Sequence, residues 1–315
     1  AQAPVLVMEW PWEADDGDHF ETSQQAYDHL APWLHAHASR AEKRNKKFTI
    51  YDPYYCVGST VGILKDIGSQ RWEVINRKRD FYADIRENLI PDHQVLVTNP
   101  AYSGDHKQRL LTWILNEAVE RVISGKYPRP FAVLLPSWSA TKTYWRQFHK
   151  DWSELHGDAD APIFYICPSA KYKFSYVTRD GPPMAPFYGI WFVGGGSPAA
   201  SSAAREALRA RLPESVTVAT SFRQLEKQGL IRSHTDIKKR VTLNENRKRR
   251  AEKYGRQKPV IQEAPKKKAM APSTAQPAVP GSGCRHFFSV GCSRGDKCKF
   301  SHAVAGCFAR DAVGR

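Results

Sequence analysis

The chain has 315 residues, of which 41% are hydrophobic, and its formal net charge at pH 7 is +15. Such a composition can bury one core of about 180–200 residues and still leave a polar tail. No apolar run approaches the ~20 residues of a membrane span, and the acidic stretch at 13–18 leaves neither a signal peptide nor a transit peptide visible. The six cysteines show no disulfide framework, so we expect a reducing intracellular compartment.

The first half of the chain alternates between helical and strand patterns. A helix is predicted over 24–38, although Pro32 should interrupt or kink it. Runs of apolar, β-branched and aromatic residues predict strands at 49–51, 72–76 and 95–98. Residues 103–124 carry apolar side chains at helical spacing, which predicts a helix with one core-facing stripe.

The second half continues this alternation. Strands are predicted at 131–135, 162–167, 186–193 and 216–220, and helices at 199–212 and 221–228. The Pro- and Gly-rich segment 168–185 should be a loop. The pattern predicts an α/β fold with a twisted, mostly parallel, seven-stranded sheet, helices on both faces and one antiparallel edge strand. We assign this domain to residues 1–230, with a core at about 20–195 and an appendage at 196–230.

The segment that directly follows the third predicted strand carries chemistry suited to an exocyclic amine. The Asn99 amide can accept a hydrogen bond from such an amine, and Pro100, which has no N–H, leaves its carbonyl free to accept another. The ring of Tyr102 can stack on a planar base. With Ala101 between them, these residues predict a site that directs the amine lone pair at a methyl donor. The alternative is an ordinary turn, because Asn-Pro is a common turn dipeptide.

This segment resembles the Asn-Pro-Pro-aromatic motif of class I methyltransferases that modify the N6 of adenine. Upstream, residues 52–59 follow a predicted strand and resemble the Asp-Pro-Phe-x-Gly-x-Gly-Thr loop of that family. The resemblance implies a Rossmann-like methyltransferase sheet over roughly residues 20–195 and S-adenosylmethionine as the methyl donor. The donor-binding residues that it implies are Thr22, Asp52, Pro53, Tyr54, Gly58, Asn76, Asp80 and Phe81.

Three positions differ from the motifs of the family. Ala101 replaces the second Pro, Cys56 replaces the first Gly of the donor loop, and Asn76 stands where an acidic residue is usual. The amine-accepting groups and the aromatic ring are retained. Two interpretations are therefore open, an active methyltransferase and an inactive RNA-binding protein on the same fold.

A second motif lies near the other end of the chain, where three cysteines and a histidine have the spacing C-x7-C-x5-C-x3-H. These residues are Cys284, Cys292, Cys298 and His302. Three thiolates and one imidazole complete a tetrahedral zinc site, and residues 284–302 resemble a CCCH zinc finger, a family that mostly binds single-stranded RNA. Candidate RNA-binding residues are Phe287, Phe288, Phe300, Arg285 and Lys299. The alternative is a zinc-stabilised protein-interaction module.

The segment 231–283 is predicted to be a linker, and 303–315 a tail. From residue 231 to 268, 14 lysines and arginines stand against 4 acidic residues, a net charge of +10. The remainder is rich in Ala, Pro, Ser and Gly, which is typical of a flexible tether. The basic part predicts contacts with RNA phosphates. Its clusters also resemble nuclear-import signals, so we expect the nucleus, with the cytoplasm or an organelle as alternatives if a targeting segment has been removed.

The two resemblances together imply an S-adenosylmethionine-dependent RNA methyltransferase acting on adenosine N6. Cap-adjacent mRNA or small nuclear RNA is the candidate target, RNA is the expected partner, and S-adenosylmethionine and zinc are the expected cofactors. Besides the inactive RNA-binding protein, a DNA adenine methyltransferase is an alternative. The finger argues against DNA, because such fingers favour single-stranded RNA.

Overall fold

The seven predicted strands assemble into one sheet in the computed structural model, which describes residues 20–156, 163–176 and 187–232. The strands within these ranges are β1 (Phe20–Thr22), β2 (Phe48–Tyr51), β3 (Trp72–Ile75), β4 (Val95–Thr98), β5 (Phe131–Pro136), β6 (Phe164–Pro168), β7 (Phe174–Tyr176), β8 (Gly189–Gly194) and β9 (Val216–Ala219). The helices are α1 (Gln24–Glu42), α2 (Ser59–Ile67), α3 (Phe81–Arg86), α4 (His106–Ile123), α5 (Thr143–His156), α6 (Pro198–Arg211) and α7 (Phe222–Lys227), with a 3-10 helix at Ser137–Thr141. None of these helices is long and apolar enough to cross a membrane.

The sheet is mixed, with the strand order β3-β2-β4-β5-β8-β6-β9. Strands β2, β3, β4 and β5 run parallel, whereas β8 lies antiparallel between β5 and β6. Strand β9 adds a second antiparallel strand at the edge, next to β6. The predicted α/β fold with a seven-stranded sheet is confirmed. The expected antiparallel edge strand is present as β9, but β8 is a second antiparallel strand and lies inside the sheet, where none was expected.

The segment predicted to be a loop between β6 and β8 contains a short strand. Strand β7 pairs antiparallel with β1, and the two form a separate two-stranded sheet. Each strand has only three residues, too few for the period-2 alternation by which strands are recognised in a sequence. The pairing fixes the chain at 20–22, immediately before α1.

Helices cover both faces of the sheet, as predicted. On one face α1, α2 and α6 pack against a core that includes Ile50 and Trp191. On the other face α3, α4, α5 and α7 pack against a core that includes Leu110 and Trp145. Successive residues of β5 alternate between these two cores, as the geometry of a strand requires.

Helix α1 continues past Pro32, where an interruption was expected. Proline in a helix costs about 3 kcal/mol because it removes a hydrogen bond and crowds the preceding turn. Burial offsets that cost here, since Leu30, Trp33 and Leu34 are each at most 1% exposed. The indole of Trp191 also donates to the Ala26 carbonyl over 2.8 Å, which ties the first turn of the helix to the sheet.

The segment predicted as an appendage contributes to both cores. Helix α6 packs against the first core and α7 against the second, and β9 completes the sheet. The packed part of the domain continues past residue 230, its predicted end. Ile231 is 8% exposed and belongs to the second core, and the Leu230 carbonyl accepts from Ser137 Oγ over 2.7 Å.

Gly195→Ala is expected to destabilise the protein by several kcal/mol. The left-handed conformation alone costs an alanine ~1 kcal/mol, and here a steric clash adds to that cost. Gly195 has a φ of +83°, and an added Cβ would lie 2.1 Å from the carbonyl oxygen of Arg129. Gly125→Ala is the matched control, because Gly125 also has a positive φ, +68°, but open space around its Cβ position. Urea unfolding of both variants measures the difference, and equal losses would show that the close approach to Arg129 carries no cost.

Candidate functional site

The carboxyl ends of two neighbouring parallel strands bring Asp52 and Asn99 to one edge of the sheet. Asp52 directly follows β2, Asn99 directly follows β4, and the two strands are paired. Thr98 Oγ1 donates to Asp52 Oδ1 over 2.6 Å, and the Tyr54 amide donates to the same oxygen over 3.2 Å. Carboxyl ends of parallel strands are where open sheets of this class bind ligands.

Asp52 is 3% exposed, which is rare for an acidic residue that has no ion pair with the described residues. Burial raises its pKa from 3.8 to about 7, and the hydrogen bonds from Thr98 and Tyr54 offset part of that shift. A buried carboxyl whose pKa lies near neutrality is costly to the fold, and such groups are concentrated at functional sites. Its burial and its raised pKa therefore make Asp52 the strongest candidate for a functional acidic residue at this edge of the sheet.

Asp52→Asn is expected to stabilise the protein at pH 8 by up to a few kcal/mol and to have no effect below about pH 4. The folded-state pKa lies above the unfolded-state value, so the contribution of Asp52 to stability is complete at low pH and is lost as the pH rises through about 7. The asparagine carbonyl can still accept from Thr98 and Tyr54. Urea unfolding of both proteins from pH 4 to pH 8 tests this, and parallel stability curves would contradict the raised pKa.

The loop between β2 and α2 makes its turn at Gly58, which has a φ of +85° and caps α2. The positive φ favours glycine, and an added Cβ at Gly58 would lie 3.0 Å from the Tyr55 ring, which would have to shift. Pro53 is buried and Tyr54 is half-buried. The loop predicted from sequence is therefore a tight strand–turn–helix connection at the same edge as Asn99.

A second carboxylate, Glu21 on β1, holds this loop. It accepts from the Val57 amide over 2.6 Å, and its other oxygen accepts from Ser59 Oγ. Burial and the adjacent Glu21 raise the pKa of the Cys56 thiol well above its usual value, so this thiol stays neutral. Thr22, next to Glu21, is 6% exposed and faces the interior. Sequence analysis missed Glu21, because its role depends on the unpredicted pairing of β1 with β7.

Asn76, directly after β3, uses only part of its hydrogen-bonding capacity on the described residues. Its Nδ2 donates to the Asp52 carbonyl over 3.1 Å and reaches the Tyr54 carbonyl at 3.5 Å. Its Oδ1 is buried and has no hydrogen-bond partner among the described residues. An unpaired buried acceptor costs about 1–3 kcal/mol, so this oxygen suits a ligand that brings a hydroxyl or amine donor.

Asp80 and Phe81, the two residues predicted to follow Asn76 in the donor site, also make contacts within the domain, and their donor binding stays a prediction. Asp80 caps α3, accepting from the Tyr82 amide over 2.9 Å. Phe81 is 3% exposed, with its ring 5.2 Å from Trp113 and 5.5 Å from Tyr54. Phe81 thus supports the loop after β2 from beneath.

In the segment after β4, the Tyr102 side chain contacts Asn99. The Tyr102 hydroxyl donates to Asn99 Oδ1, and its backbone carbonyl accepts from Lys107 Nζ. The Tyr102 ring lies edge-on to Phe187, with ring centroids 4.9 Å apart, and 6.4 Å from Phe20. Pro100 is buried and Ala101 is half-buried. These contacts hold the segment in place, and the Tyr102 hydroxyl orients the Asn99 carboxamide.

A chain of side chains that sequence analysis did not identify links the loop after β2 to the start of α4. Tyr54 and Tyr82 share a hydrogen bond of 2.8 Å between their hydroxyls, and Tyr82 continues to His106 Nδ1 over 2.7 Å. The Arg109 guanidinium lies 3.3 Å from the Tyr82 ring centroid. Because these residues come from three separate segments, only the fold reveals that they meet.

The predicted zinc ligands and their neighbours lie outside the described residues, as does the basic part of the linker beyond residue 232. In the ranges that the structure covers, no group of three or more His, Cys, Asp or Glu could hold a metal ion. The zinc finger, with Phe287, Phe288, Phe300, Arg285 and Lys299 as RNA-binding residues, stays a prediction.

Comparisons with known proteins do not identify a family for this chain. No protein-family model matches the chain, and the search of curated proteins gives no match. The function must therefore be argued from the residues themselves.

Proposed function

We propose that the protein is an S-adenosylmethionine-dependent RNA methyltransferase that modifies the N6 of adenosine. The observation that carries the proposal is the junction of Asn99 and Asp52 at adjacent strand ends, linked through Thr98. One side of this junction offers carboxamide and carbonyl acceptors beside an aromatic ring, and the other offers a buried carboxyl. The first set suits an aromatic amine, and the second suits a cationic donor.

The mechanism rests on orienting the target amine. Asn99 Oδ1 has two lone pairs, so it can accept from the Tyr102 hydroxyl and from the N6 amine together. The Pro100 carbonyl accepts the second N–H, and the Tyr102 ring supports the base. Both acceptors concentrate electron density on the nitrogen. Orientation and electrostatics supply most of the catalysis, and no strong general base is needed because the proton can leave after transfer.

The residues around Asp52 fit a methyl donor. Asp52 and Glu21 provide carboxylates for an ammonium group, and Asn76 Oδ1, which lacks a partner among the described residues, provides an acceptor for a hydroxyl. Bound S-adenosylmethionine supplies the chemistry, an electrophilic methyl group on a sulfonium. The chain's task is to hold Asn99 and the target amine in a fixed geometry beside it.

The remaining parts of the chain account for RNA as the substrate. The predicted zinc finger would stack on unpaired bases, and the linker, with a net charge of +10 from residue 231 to 268, would contact phosphates. The target adenosine must leave its stack to reach Tyr102. A cap-adjacent mRNA or small nuclear RNA adenosine remains the candidate target, and the nucleus the expected compartment.

Two rival functions are kept. The substitutions at Cys56, Asn76 and Ala101 favour an inactive RNA-binding protein, and the amine-holding segment by itself suits a DNA adenine methyltransferase equally well.

Calorimetry with S-adenosylmethionine separates the first rival from the proposal. We expect binding, weakened by about tenfold in Asn76→Ala, which loses one buried hydrogen bond, and unchanged in Asn116→Ala on the exposed face of α4. No binding at millimolar ligand would favour the inactive protein.

A further inference from the structure

A basic cavity lies at the opposite end of the sheet from the candidate site. Its volume is about 380 Å³, and it is formed where β4 and β5 begin and α4 ends. Its walls include Asp92, His93, Arg121, Lys126 and Arg129. Neither the fold nor the proposed chemistry explains why three cations converge here.

The charges in this cavity are only partly compensated. Arg129 is paired with Asp92 over 2.8 Å and with Glu117. Arg121 donates from Nε to the Tyr127 carbonyl over 2.9 Å. Among the described residues, no carboxylate lies within 4.0 Å of the charged nitrogens of Arg121 or Lys126. Two cations therefore face a concave surface without a direct ion pair to a described residue, although Asp92 and Glu117 act on Arg121 from a greater distance.

The surroundings of Arg121 disfavour a further positive charge. Burial and the adjacent Arg129 lower the pKa of the Arg121 guanidinium. Burial and Arg129 also lower the pKa of His93 to about 4, so His93 is neutral near pH 7. An anion in the cavity would relieve this repulsion and would be held by fixed donors.

An exposed aromatic residue is adjacent to one of these cations in the chain. Tyr127 follows Lys126 in the chain, its side chain is 60% exposed, and its carbonyl is the group that holds Arg121. Ile123, at the end of α4, is 81% exposed. Cations that track a phosphate backbone beside an aromatic ring that stacks on bases are the combination used to bind single-stranded nucleic acid.

We propose that this cavity binds a backbone phosphate of single-stranded RNA through Arg121 and Lys126, while Tyr127 stacks on a neighbouring base. The proposal rests on RNA as the partner of the chain but not on methyl transfer. Since the cavity and the candidate site lie at opposite ends of the parallel strands, one RNA strand that occupies both must pass along the domain. The cavity would then help to set which adenosine reaches Asn99.

The test uses the full chain and a fluorescent single-stranded RNA, with affinity measured over a range of salt concentrations. Arg121→Gln with Lys126→Gln should lower the slope of log affinity against log salt by about 0.7, the contribution of one lost phosphate contact. Lys65→Gln with Arg146→Gln is the matched control, since both residues are exposed and the charge change is identical.

Tyr127→Ala should weaken binding by about tenfold, and Tyr127→Phe should not. Thermal unfolding verifies that the variants are folded. Lys126→Gln alone, which should lower the slope by a smaller amount, avoids altering the partly buried Arg121.

Equal slopes in the cavity and control variants would overturn the proposal, as would full affinity in Tyr127→Ala. Inorganic phosphate is the second probe. Variants that lose phosphate binding and keep RNA binding would show that the cavity takes a free phosphate, which also overturns the proposal. RNA binding that depends on the cavity in a protein without methyl transfer would support this inference and refute the proposed function, so the two fail separately.

Discussion

Asn99→Ala is expected to lower the rate of methyl transfer by at least about 100-fold, the loss typical of one electrostatic group at a reacting centre. Its affinity for S-adenosylmethionine should change by less than about twofold. The effects on rate and on donor affinity should differ because Asn99 contacts Tyr102 on its own segment. Glu21, Asp52 and Asn76, which are proposed to hold the donor, surround the neighbouring loop. Single-turnover rates and calorimetry measure the two quantities.

Tyr102→Phe is the control for this variant. It keeps the ring for stacking but removes the hydroxyl that orients the Asn99 carboxamide. We expect it to lose activity by only about fivefold, since one orienting hydrogen bond contributes about 1 kcal/mol. If Asn99→Ala keeps wild-type activity, the amine is held elsewhere and the proposed mechanism is wrong.

Removal of residues 233–315 should weaken RNA binding by at least about 100-fold and flatten its salt dependence. A finger that stacks two bases contributes about 1–3 kcal/mol per base, and the basic linker adds a term for every phosphate that it neutralises. The cut belongs after Arg232, because Leu230 and Ile231 lie in the second core. Fluorescence anisotropy over a range of salt concentrations measures the change.

The truncated protein should keep its unfolding transition and its donor affinity, and it should still turn over at saturating RNA. Cys298→Ser in the full chain is the matched variant, since losing one thiolate removes much of the metal binding that folds so small a module. It should reproduce part of the loss in affinity. Unchanged RNA affinity after truncation would instead make the tail a protein-interaction or import segment.

The sequence predicted the main sheet because its strands are apolar runs separated by clear turns. The positions of β2, β4 and β5 follow from local pattern. The meeting of Asp52 and Asn99 also needs β2 to pair with β4, and strand order is not a local property. The place of β8 inside the sheet could not be predicted, because its buried run would suit an edge or an interior position equally. The continuity of α1 through Pro32 likewise depends on packing that local propensity does not include.

The candidate site was predicted residue by residue where a motif is contiguous, and missed where it is assembled from distant segments. Glu21 reaches the loop at Val57 only because β1 pairs with β7. The contact between Tyr82 and His106 joins α3 to α4, and no spacing in the sequence indicates it. The basic cavity combines the turn before β4 with the end of α4, so its charges look unrelated in the sequence.

The most direct measurement is methyl transfer by the purified full chain. The protein is incubated with S-adenosylmethionine labelled in its methyl group and with matched single-stranded RNA and DNA oligonucleotides that contain adenine, and the nucleosides are then separated. The account predicts label in N6-methyladenosine from RNA, and its loss in Asn99→Ala. Label recovered mainly from DNA, or no transfer to either nucleic acid by a protein that binds the donor, would contradict it.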